Sequence, residues 1–501
     1  MIEPYTVLPY SDDNLATSLS NNLTSSDWVK NTKPHYEYLC KYLAETGGIG
    51  AKTIVIENKY LSKSYLIDYS NFYSTCFNHY ERFCKRVHFF SDDFNKRKFT
   101  ALIKNPGSKL SKIWDGYLGY IVIKPLPKVL IGATVLKTYQ STSIDKRYFP
   151  ATKKYKVNIF GKELTIKSLA FQEQDTVVGA CASSALWSAF NKTSQLFQTP
   201  LPSPSDITKS AKNLFYNSGR TYPNHELDHY QIGNAVDSIG LVSELRNSRN
   251  FSVATYLKAF IYSYNKIGLP VLLGIKLPAL GGHLITITGF REENPTAYVR
   301  TADMALKADS IEKFYAHDDQ VGPFTRLKIE SSGKIETAWI DKGTGTNIIA
   351  DFSSVFVPIF NKIRLTFENI YSIVRLIDFY FYTSLPATNI YWDIYLDFSN
   401  NYKMHVQEAQ NISSSQKYKI LIEPLPKYIW IAKGLVIDEC VIELIFDATE
   451  IDTADFCIAI NTYNTSLKTF LQANLLSTSI IGFFKNDLSA KYYDLMVEST
   501  K

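Results

Sequence analysis

The sequence predicts an α+β protein built from two or three domains. A chain of 501 residues is too long for one ordinary hydrophobic core. Hydrophobic residues make up 45% of the chain and charged residues 20%, which is typical of a folded protein. In the middle third, helix patterns precede strand patterns instead of alternating with them, an order that favours the α+β class. Differences in pattern divide the chain into residues 1–150, 151–330 and 331–501.

Charge and composition argue against several functions. The formal net charge of +6 is spread out, without a block of five like charges, so a nucleic-acid partner is not expected. We find neither a bilayer-length apolar run nor a secretory signal, so no membrane partner is expected. The six cysteines are scattered, which indicates free thiols in the cytoplasm rather than a disulfide framework.

The N-terminal region, residues 1–150, is expected to be an α/β extension. Tyr117–Pro127 has the pattern of a strand that ends at two prolines. At the start of the central region, Tyr155–Leu169 alternates apolar and polar residues on both sides of Phe160-Gly161-Lys162. This alternation with a glycine turn predicts a β-hairpin.

Helices are predicted next in the central region. Apolar residues at helical spacing follow Cys181, so a helix should begin near that residue. A second helix is expected with Ser205 as its N-cap. A third helix pattern follows Val253 and is stopped by Gly268 and Pro270.

Strands are predicted after these helices. The expected strands are Pro270–Lys276, His283–Phe290 and, behind a polar insertion at 291–310, Glu312–Ala316. This order is the basis of the α+β prediction.

The C-terminal region, residues 331–501, is expected to be a second α/β extension of unknown role. It contains a long helix pattern at Phe360–Tyr382 and a strand pattern at Asn389–Phe398. Ile420–Phe446 has the pattern of several strands. Part of it, Ile420–Val436, resembles Ile121–Leu136, and a shared Pro-x-Pro strand exit explains the likeness better than a duplication does.

Cys181 and His283 have the pattern of a nucleophile and its base. Cys181 lies at a helix start, where unpaired N–H groups and the helix dipole favour a thiolate and can hold an oxyanion. His283 opens a strand after Gly281 and Gly282, which leave room beside its ring. A strand-end histidine facing a helix start is the geometry that a Cys–His pair requires. The alternative for Cys181 is an ordinary buried cysteine.

These segments resemble papain-like cysteine peptidases, most closely the C39-like branch. The shared pattern is Gln-x-Gln-Asp, then Gly-Ala-Cys at Cys181, and about a hundred residues later Gly-Gly-His at His283. The resemblance covers roughly residues 170–326. It implies a papain-like catalytic domain at 151–330, between N- and C-terminal α/β extensions. Cys181 would be the nucleophile and His283 the general base.

The resemblance also implies two further site residues. Gln174 is the counterpart of the family's oxyanion glutamine, although it precedes Cys181 by seven residues rather than the usual six, and Gln172 is the alternative. Asp318 lies in a segment that looks like the family's strand-end aspartate and would orient His283. Asp319 and Asp303 are alternatives, because the insertion separates this segment from His283 more than is usual.

We therefore expect hydrolysis of peptide or isopeptide bonds in a protein or peptide substrate, without a cofactor or metal. Glutamine deamidation or acyl transfer uses the same machinery and stays open. A non-catalytic interaction protein on the same scaffold also stays open. The long flanking regions favour a regulatory protein partner.

A rival motif is His225-Glu226-x-x-His229, which matches the zinc-peptidase pattern. Pro223 puts it at a helix start and Asp228 adds a charge where that pattern is normally apolar, so a solvated first turn is the favoured interpretation.

A second group with metal-ligand character is Cys76, His79, Cys84 and His88. These residues share one predicted run and would spread over half the circumference of a helix, so a structural role is expected.

Overall fold

The structure is a computed structural model that describes residues 3–175, 181–211, 227–278, 281–293, 298, 300, 304–384, 389–452 and 455–501. All strand ladders in these residues are antiparallel. Helices and antiparallel sheets together agree with the predicted α+β class. None of the helices in these ranges combines the length and the apolar character that a bilayer crossing needs.

The N-terminal region forms a five-stranded sheet in which each strand pairs with the next one along the chain. Leu15 of the first helix, Leu39 of the third and Val87 of the sheet belong to one apolar cluster. The predicted strand at Tyr117 is confirmed. In chain order the elements are β1 (Tyr5–Pro9), α1 (Asp12–Leu19), α2 (Ser26–Thr32), α3 (Pro34–Leu43), β2 (Thr53–Tyr60), α4 (Lys63–Asn71), β3 (Cys84–Phe90), α5 (Lys96–Lys104), β4 (Tyr117–Ile123) and β5 (Ile131–Leu136).

The central region begins with a short strand and a hairpin, followed by helices. The elements are β6 (Lys146–Tyr148), β7 (Lys153–Ile159), β8 (Lys162–Ser168), α6 (Cys181–Phe197), α7 (Pro204–Ser210), α8 (His229–Asp237), β9 (Leu241–Asn247) and α9 (Ala254–Asn265). The predicted hairpin is confirmed as β7 and β8. Its turn residues Phe160 and Gly161 both have positive φ, 45° and 87°, which is the conformation that a tight two-residue hairpin turn requires.

Six further strands form a closed ring. They are β10 (Val271–Leu277), β11 (Gly281–Glu292), β12 (Ile311–Asp318), β13 (Gly322–Ile329), β14 (Ile335–Ile340) and β15 (Asn347–Phe360). Each pairs with the next, and β10 pairs with β15 to complete the circle. β9 adds outside β15, and β6 pairs with β11.

The ring crosses the predicted boundaries of the central domain. β14 and β15 follow residue 331, and β6 precedes residue 150, yet all three strands hydrogen bond within this sheet. The sheet therefore extends across both boundaries.

Helix α6 packs against the ring, mainly on β11. Its residues Ala182, Ala185, Leu186, Ala189 and Phe190 are buried, as the helical spacing predicts. Thr286 of β11 donates a hydrogen bond to the backbone carbonyl of Ala185 at 3.0 Å. The small side chains on this face allow the approach that places the start of α6 beside β11.

The C-terminal region forms a four-stranded sheet in the order β16-β17-β18-β19. Val355 of the ring, Ile370 and Trp430 share one apolar cluster, so the ring and this sheet have a common core. The elements are α10 (Phe367–Ser384), β16 (Tyr391–Phe398), α11 (Ser399–Glu408), α12 (Ser414–Ile422), β17 (Tyr428–Val436), β18 (Glu439–Asp447), β19 (Cys457–Thr462), α13 (Thr465–Asn474), α14 (Thr478–Phe483) and α15 (Ala490–Ser499).

Two helix boundaries differ from the prediction. The N-cap of α7 is Ser203 rather than Ser205, because Ser203 Oγ accepts the backbone N–H of Asp206 at 3.2 Å and Pro204 occupies the first helical position. α10 begins at Phe367 rather than Phe360, because β15 continues through Phe360 to pair with β9.

The resemblance between the two Pro-x-Pro segments is not structural. Ile121–Leu136 contains the end of β4 and all of β5. In Ile420–Val436, residues 420–422 are the last turn of α12, and only the rest reaches β17. The prediction of strands throughout Ile420–Phe446 is wrong at this end.

Candidate active site

Cys181 is the first residue of α6, a 17-residue helix, and is 7% exposed. The backbone N–H groups of a helix start point away from the helix, and they favour a negative charge placed there. Gly179 and Ala180, which the sequence also singled out, lie outside the described residues.

His283 is brought to Cys181 by β11. It follows the exposed glycines Gly281 and Gly282, and its own side chain is buried. The side chain of Cys181 raises the pKa of His283, so the two side chains lie close together. Nε2 of His283 lies 2.9 Å from Oδ1 of Asp318, which leaves Nδ1 as the ring nitrogen for the sulfur.

Asp318 reaches the imidazole of His283 because β11 and β12 are paired. Thr286 is opposite His317, so the start of β11 adjoins the end of β12, where Asp318 lies. The carboxylate of Asp318 also accepts the backbone N–H of Gln320 at 3.1 Å and the indole N–H of Trp339 at 2.8 Å. Three donors therefore fix its orientation.

Trp339 is a site residue that sequence reasoning missed. It lies in β14, beyond the predicted end of the catalytic domain. Its ring meets the His283 ring edge to face, with centroids 5.6 Å apart and planes at 79°. Trp339 reaches His283 only because the ring of strands closes. A single tryptophan in a strand without a motif gives no local sequence signal of that contact.

The His283–Asp318 pair is strongly polarised. Burial lowers the pKa of His283, but the charge and hydrogen bond of Asp318, with the Cys181 side chain, raise it well above its ordinary value. Burial raises the pKa of Asp318, but His283, Trp339 and Gln320 together hold it below its ordinary value. The pair therefore favours an imidazolium beside a carboxylate.

Asp319, an alternative to Asp318, also lies near the imidazole of His283, but at a greater distance than Asp318. Its Oδ1 is 3.7 Å from His283 Nε2 and has no hydrogen-bond partner among the described residues. Burial raises the pKa of Asp319 to about 7, and the neighbouring Asp318 adds to that rise while His283 opposes it. The other alternative, Asp303, lies outside the described residues.

The same three side chains have the character of metal ligands. Each of His283, Asp318 and Asp319 offers one ligand atom, and these three atoms lie within 4.8 Å of one another. One nitrogen and two carboxylate oxygens would suit a divalent transition metal. Such an ion would compete for the Nε2 atom that already faces Asp318, so the metal and the Cys–His–Asp arrangement are separable by experiment.

Gln174, which precedes Cys181 in the chain, contacts the turn that follows Asp318. Its side-chain oxygen accepts a hydrogen bond from the side-chain amide of Gln320 at 2.6 Å. That contact commits the oxygen of Gln174 and leaves its NH₂ group as a donor. Gln172, the alternative, is buried and follows Phe171, which pairs with Thr134 of the N-terminal region.

Two acidic residues anchor the chain on either side of Gln174. Glu173 accepts the backbone N–H groups of Leu130 and Ile131 at 3.1 and 3.0 Å and forms a buried ion pair with Lys33. Asp175 accepts the hydroxyl of Tyr73 at 2.5 Å. Lys124 lies 3.5 Å from the same carboxylate.

All of these partners belong to the N-terminal region. That region also supplies His35, whose Nε2 lies 2.8 Å from the backbone carbonyl of Asp319. Sequence reasoning did not find these anchors, because single acidic residues beside Gln174 carry no motif. The predicted N-terminal extension thus forms one side of the candidate site.

Of the zinc-peptidase motif, the structure describes His229 but not the first histidine or the glutamate. α8 begins at His229, and Asp228 caps it by accepting the backbone N–H of Gln231 at 2.8 Å. His225 and Glu226 lie outside the described residues. The His229 ring packs edge-on against Phe356, with centroids 5.2 Å apart.

The Cys76, His79, Cys84 and His88 run is divided between two kinds of structure. Cys76 is exposed, whereas Cys84 and His88 are buried in β3. Nδ1 of His88 lies 2.9 Å from the hydroxyl of Tyr117. Across the described ranges, the one grouping with metal-ligand geometry is that of His283, Asp318 and Asp319.

Comparison with known proteins adds no family assignment. No protein-family model matches the chain, and no curated protein is significantly similar to it.

Proposed function

We propose that the chain is a papain-like, C39-like cysteine hydrolase that cleaves peptide or isopeptide bonds. One observation carries the proposal: the side chain of Cys181, at the start of a long helix, lies close to His283, which hydrogen bonds to the buried Asp318. A nucleophile, a base and a group that orients the base are the three parts that acyl transfer by cysteine requires.

In the proposed reaction, the Cys181 sulfur attacks the carbonyl carbon of the scissile bond as a thiolate. The raised pKa of His283 favours an imidazolium, which holds the thiolate and then gives its proton to the departing amine. The product of this half is a thioester on Cys181 and a free amine.

Water completes the reaction. His283 takes a proton from water as the hydroxyl attacks the thioester, and Cys181 leaves with the carboxylic acid product released. Asp318 keeps Nε2 occupied throughout, so that Nδ1 exchanges the proton in both halves.

The oxyanion formed in each half needs donors. The NH₂ group of Gln174, with its oxygen held by Gln320, and the backbone N–H of Cys181 are the proposed pair. Each donor of this kind contributes roughly 10²–10³-fold to turnover in comparable hydrolases.

The first test is alkylation with iodoacetamide at pH 6, with mass spectrometry to locate the modified cysteine. An ordinary thiol reacts mainly above pH about 8. We expect Cys181 to be labelled faster than the exposed Cys76, and this selectivity to be lost in His283→Ala. Cys40, Cys84 and Cys457 are further internal controls, because burial raises the pKa of each thiol to about 12.

Labelling of Cys76 ahead of Cys181 at pH 6 would contradict the proposed activated thiolate. If Cys181 is activated, turnover of a peptide library by the wild type and not by Cys181→Ala tests hydrolysis itself. Release of ammonia from glutamine without peptide cleavage would instead identify a deamidase. Turnover should survive EDTA and be abolished by alkylation, whereas a metal-dependent site would show the reverse.

A further inference from the structure

A cavity of about 790 Å³ lies between the strand ring and the C-terminal sheet. On the ring side it is lined by β6, by the end of β11 and by the turn at 307–310. On the other side it is lined by β16, β17, β18 and α11. Its volume is that of a site for a small organic ligand, and domain interfaces commonly hold such sites. It shares no residue with the proposed active site.

The charges of three lysines act on one buried carboxylate in the cavity lining. Asp393 is 5% exposed, and its Oδ1 has no hydrogen-bond partner among the described residues. Nζ of Lys307 lies 3.8 Å from the other carboxylate oxygen, and the charges of Lys266 and Lys433 also act on Asp393. The ammonium groups of Lys266 and Lys433 lie 5.1 and 6.0 Å from the centre of the Tyr395 ring.

The carboxylates that line the cavity do not fully satisfy Lys307 and Lys433, whereas Lys266 already donates to the hydroxyl of Tyr262 at 2.9 Å. Lys433 lies 3.5 Å from Glu443, whose other oxygen already accepts the hydroxyls of Tyr402 and Tyr463 at 2.6 and 3.0 Å. Ion-pair hydrogen bonds are normally about 2.7–2.9 Å long, so the contacts at 3.5 and 3.8 Å leave lysine N–H groups for another acceptor.

Lysines and carboxylates are distributed differently over the cavity lining. The buried and half-buried part of the lining has lysines at 146, 266, 307 and 433 against carboxylates at 292, 393 and 443. The other two acidic residues, Glu293 and Asp438, lie on the exposed rim. Burial lowers the pKa of Lys266, which reflects the cost of holding an ammonium away from water.

We infer that this cavity binds a small phosphorylated metabolite, with its phosphate among Lys266, Lys307 and Lys433. Lysine suits phosphate as a compact, mobile charge, whereas a planar carboxylate is best matched by arginine. None of the described residues that line the cavity is an arginine. Tyr148 and Tyr463 supply aromatic walls against which a planar ring can pack. The inference does not depend on the proposed hydrolase function.

Titration calorimetry on the full chain tests this site with AMP, ATP and adenosine as probes. We expect AMP or ATP to bind with a submillimolar Kd and adenosine to bind at least about tenfold more weakly, because it lacks the phosphate. Lys433→Met should weaken nucleotide binding at least about tenfold. Lys419→Met is the matched control, since Lys419 is an exposed lysine of the C-terminal region, 69% exposed and paired with Glu498.

A second variant tests the site in case Lys433→Met disturbs the folding of the C-terminal sheet. Lys146 is half-buried on the ring side of the cavity, so Lys146→Gln should also weaken binding while it leaves the C-terminal sheet unchanged. The inference is overturned if neither nucleotide binds more tightly than adenosine. Equal losses in Lys433→Met and Lys419→Met would overturn it as well.

Discussion

The ion pair between Lys33 and Glu173 should hold the segment that carries Gln174 in place. The two side chains are 6% and 9% exposed. Lys33 also donates to the backbone carbonyl of Lys128 at 2.8 Å, so it joins α3, the β4–β5 turn and the segment before Cys181. Lys33→Met removes the charge, keeps a similar apolar length, and leaves Glu173 buried without its cation.

The expected cost follows from that burial. Removing one partner of a buried ion pair destabilises a protein by about 3–5 kcal/mol. Glu173 keeps the backbone N–H groups of Leu130 and Ile131, so the lower end, about 3 kcal/mol, is expected. Burial lowers the pKa of Lys33 even though Glu173 opposes that shift, which indicates a large desolvation cost for the pair. The double variant Lys33→Met/Glu173→Gln should therefore be more stable than Lys33→Met.

Urea unfolding, followed by tryptophan fluorescence, measures these differences. Lys30→Met is the matched control on the preceding helix, because the Lys30–Asp13 pair is solvent-accessible, with side chains 33% and 84% exposed. Exposed pairs contribute about 1 kcal/mol or less. Equal losses in Lys33→Met and Lys30→Met would refute the reasoning. So would a double variant less stable than Lys33→Met.

Three more predictions concern the candidate site. Asp318→Asn should lower kcat/KM for peptide cleavage at least about 100-fold, and Asp319→Asn should lower it less than tenfold. A larger loss in Asp319→Asn than in Asp318→Asn would make Asp319 the orienting residue. Asp319 has a pKa raised to about 7 in the folded state, so it should cost stability as pH rises from about 4 to 7. Asp319→Asn should thus raise Tm more at pH 8 than at pH 5, and an equal gain at both would exclude this titration. Trp339→Phe keeps an aromatic side chain beside His283 but loses the N–H donated to Asp318, so kcat should fall about tenfold with KM unchanged. An unchanged kcat would show that this hydrogen bond does not position the His283–Asp318 pair.

Local chemistry made part of this structure predictable. The helix that starts at Cys181 and the strands around His283 follow from apolar spacing of the helix and strand periods. The β7–β8 hairpin follows from a glycine turn between alternating strands. Asp318 was predicted because the end of its strand carries a resemblance to a family motif.

Contacts across long sequence separations were not predictable in this way. Trp339 reaches Asp318 because the ring brings β14 close to the end of β12, and no pattern near Trp339 signals that. Lys33 and Glu173 are separated by 140 positions. Each residue alone has the pattern of an ordinary surface charge, and only the fold shows that both are buried.

The ring closure also determines which fragments of this protein can be handled alone. A fragment that ends at residue 330 would lack β14 and β15, and both β10 and β13 would present a bare edge of backbone N–H and C=O groups. Bare edges of this kind pair with other molecules and lead to aggregation. Soluble expression of the candidate catalytic region should therefore require the chain to continue at least through Phe360. If the chain is the proposed hydrolase, limited proteolysis between 331 and 346 should inactivate it even though His283 and Cys181 remain covalently intact.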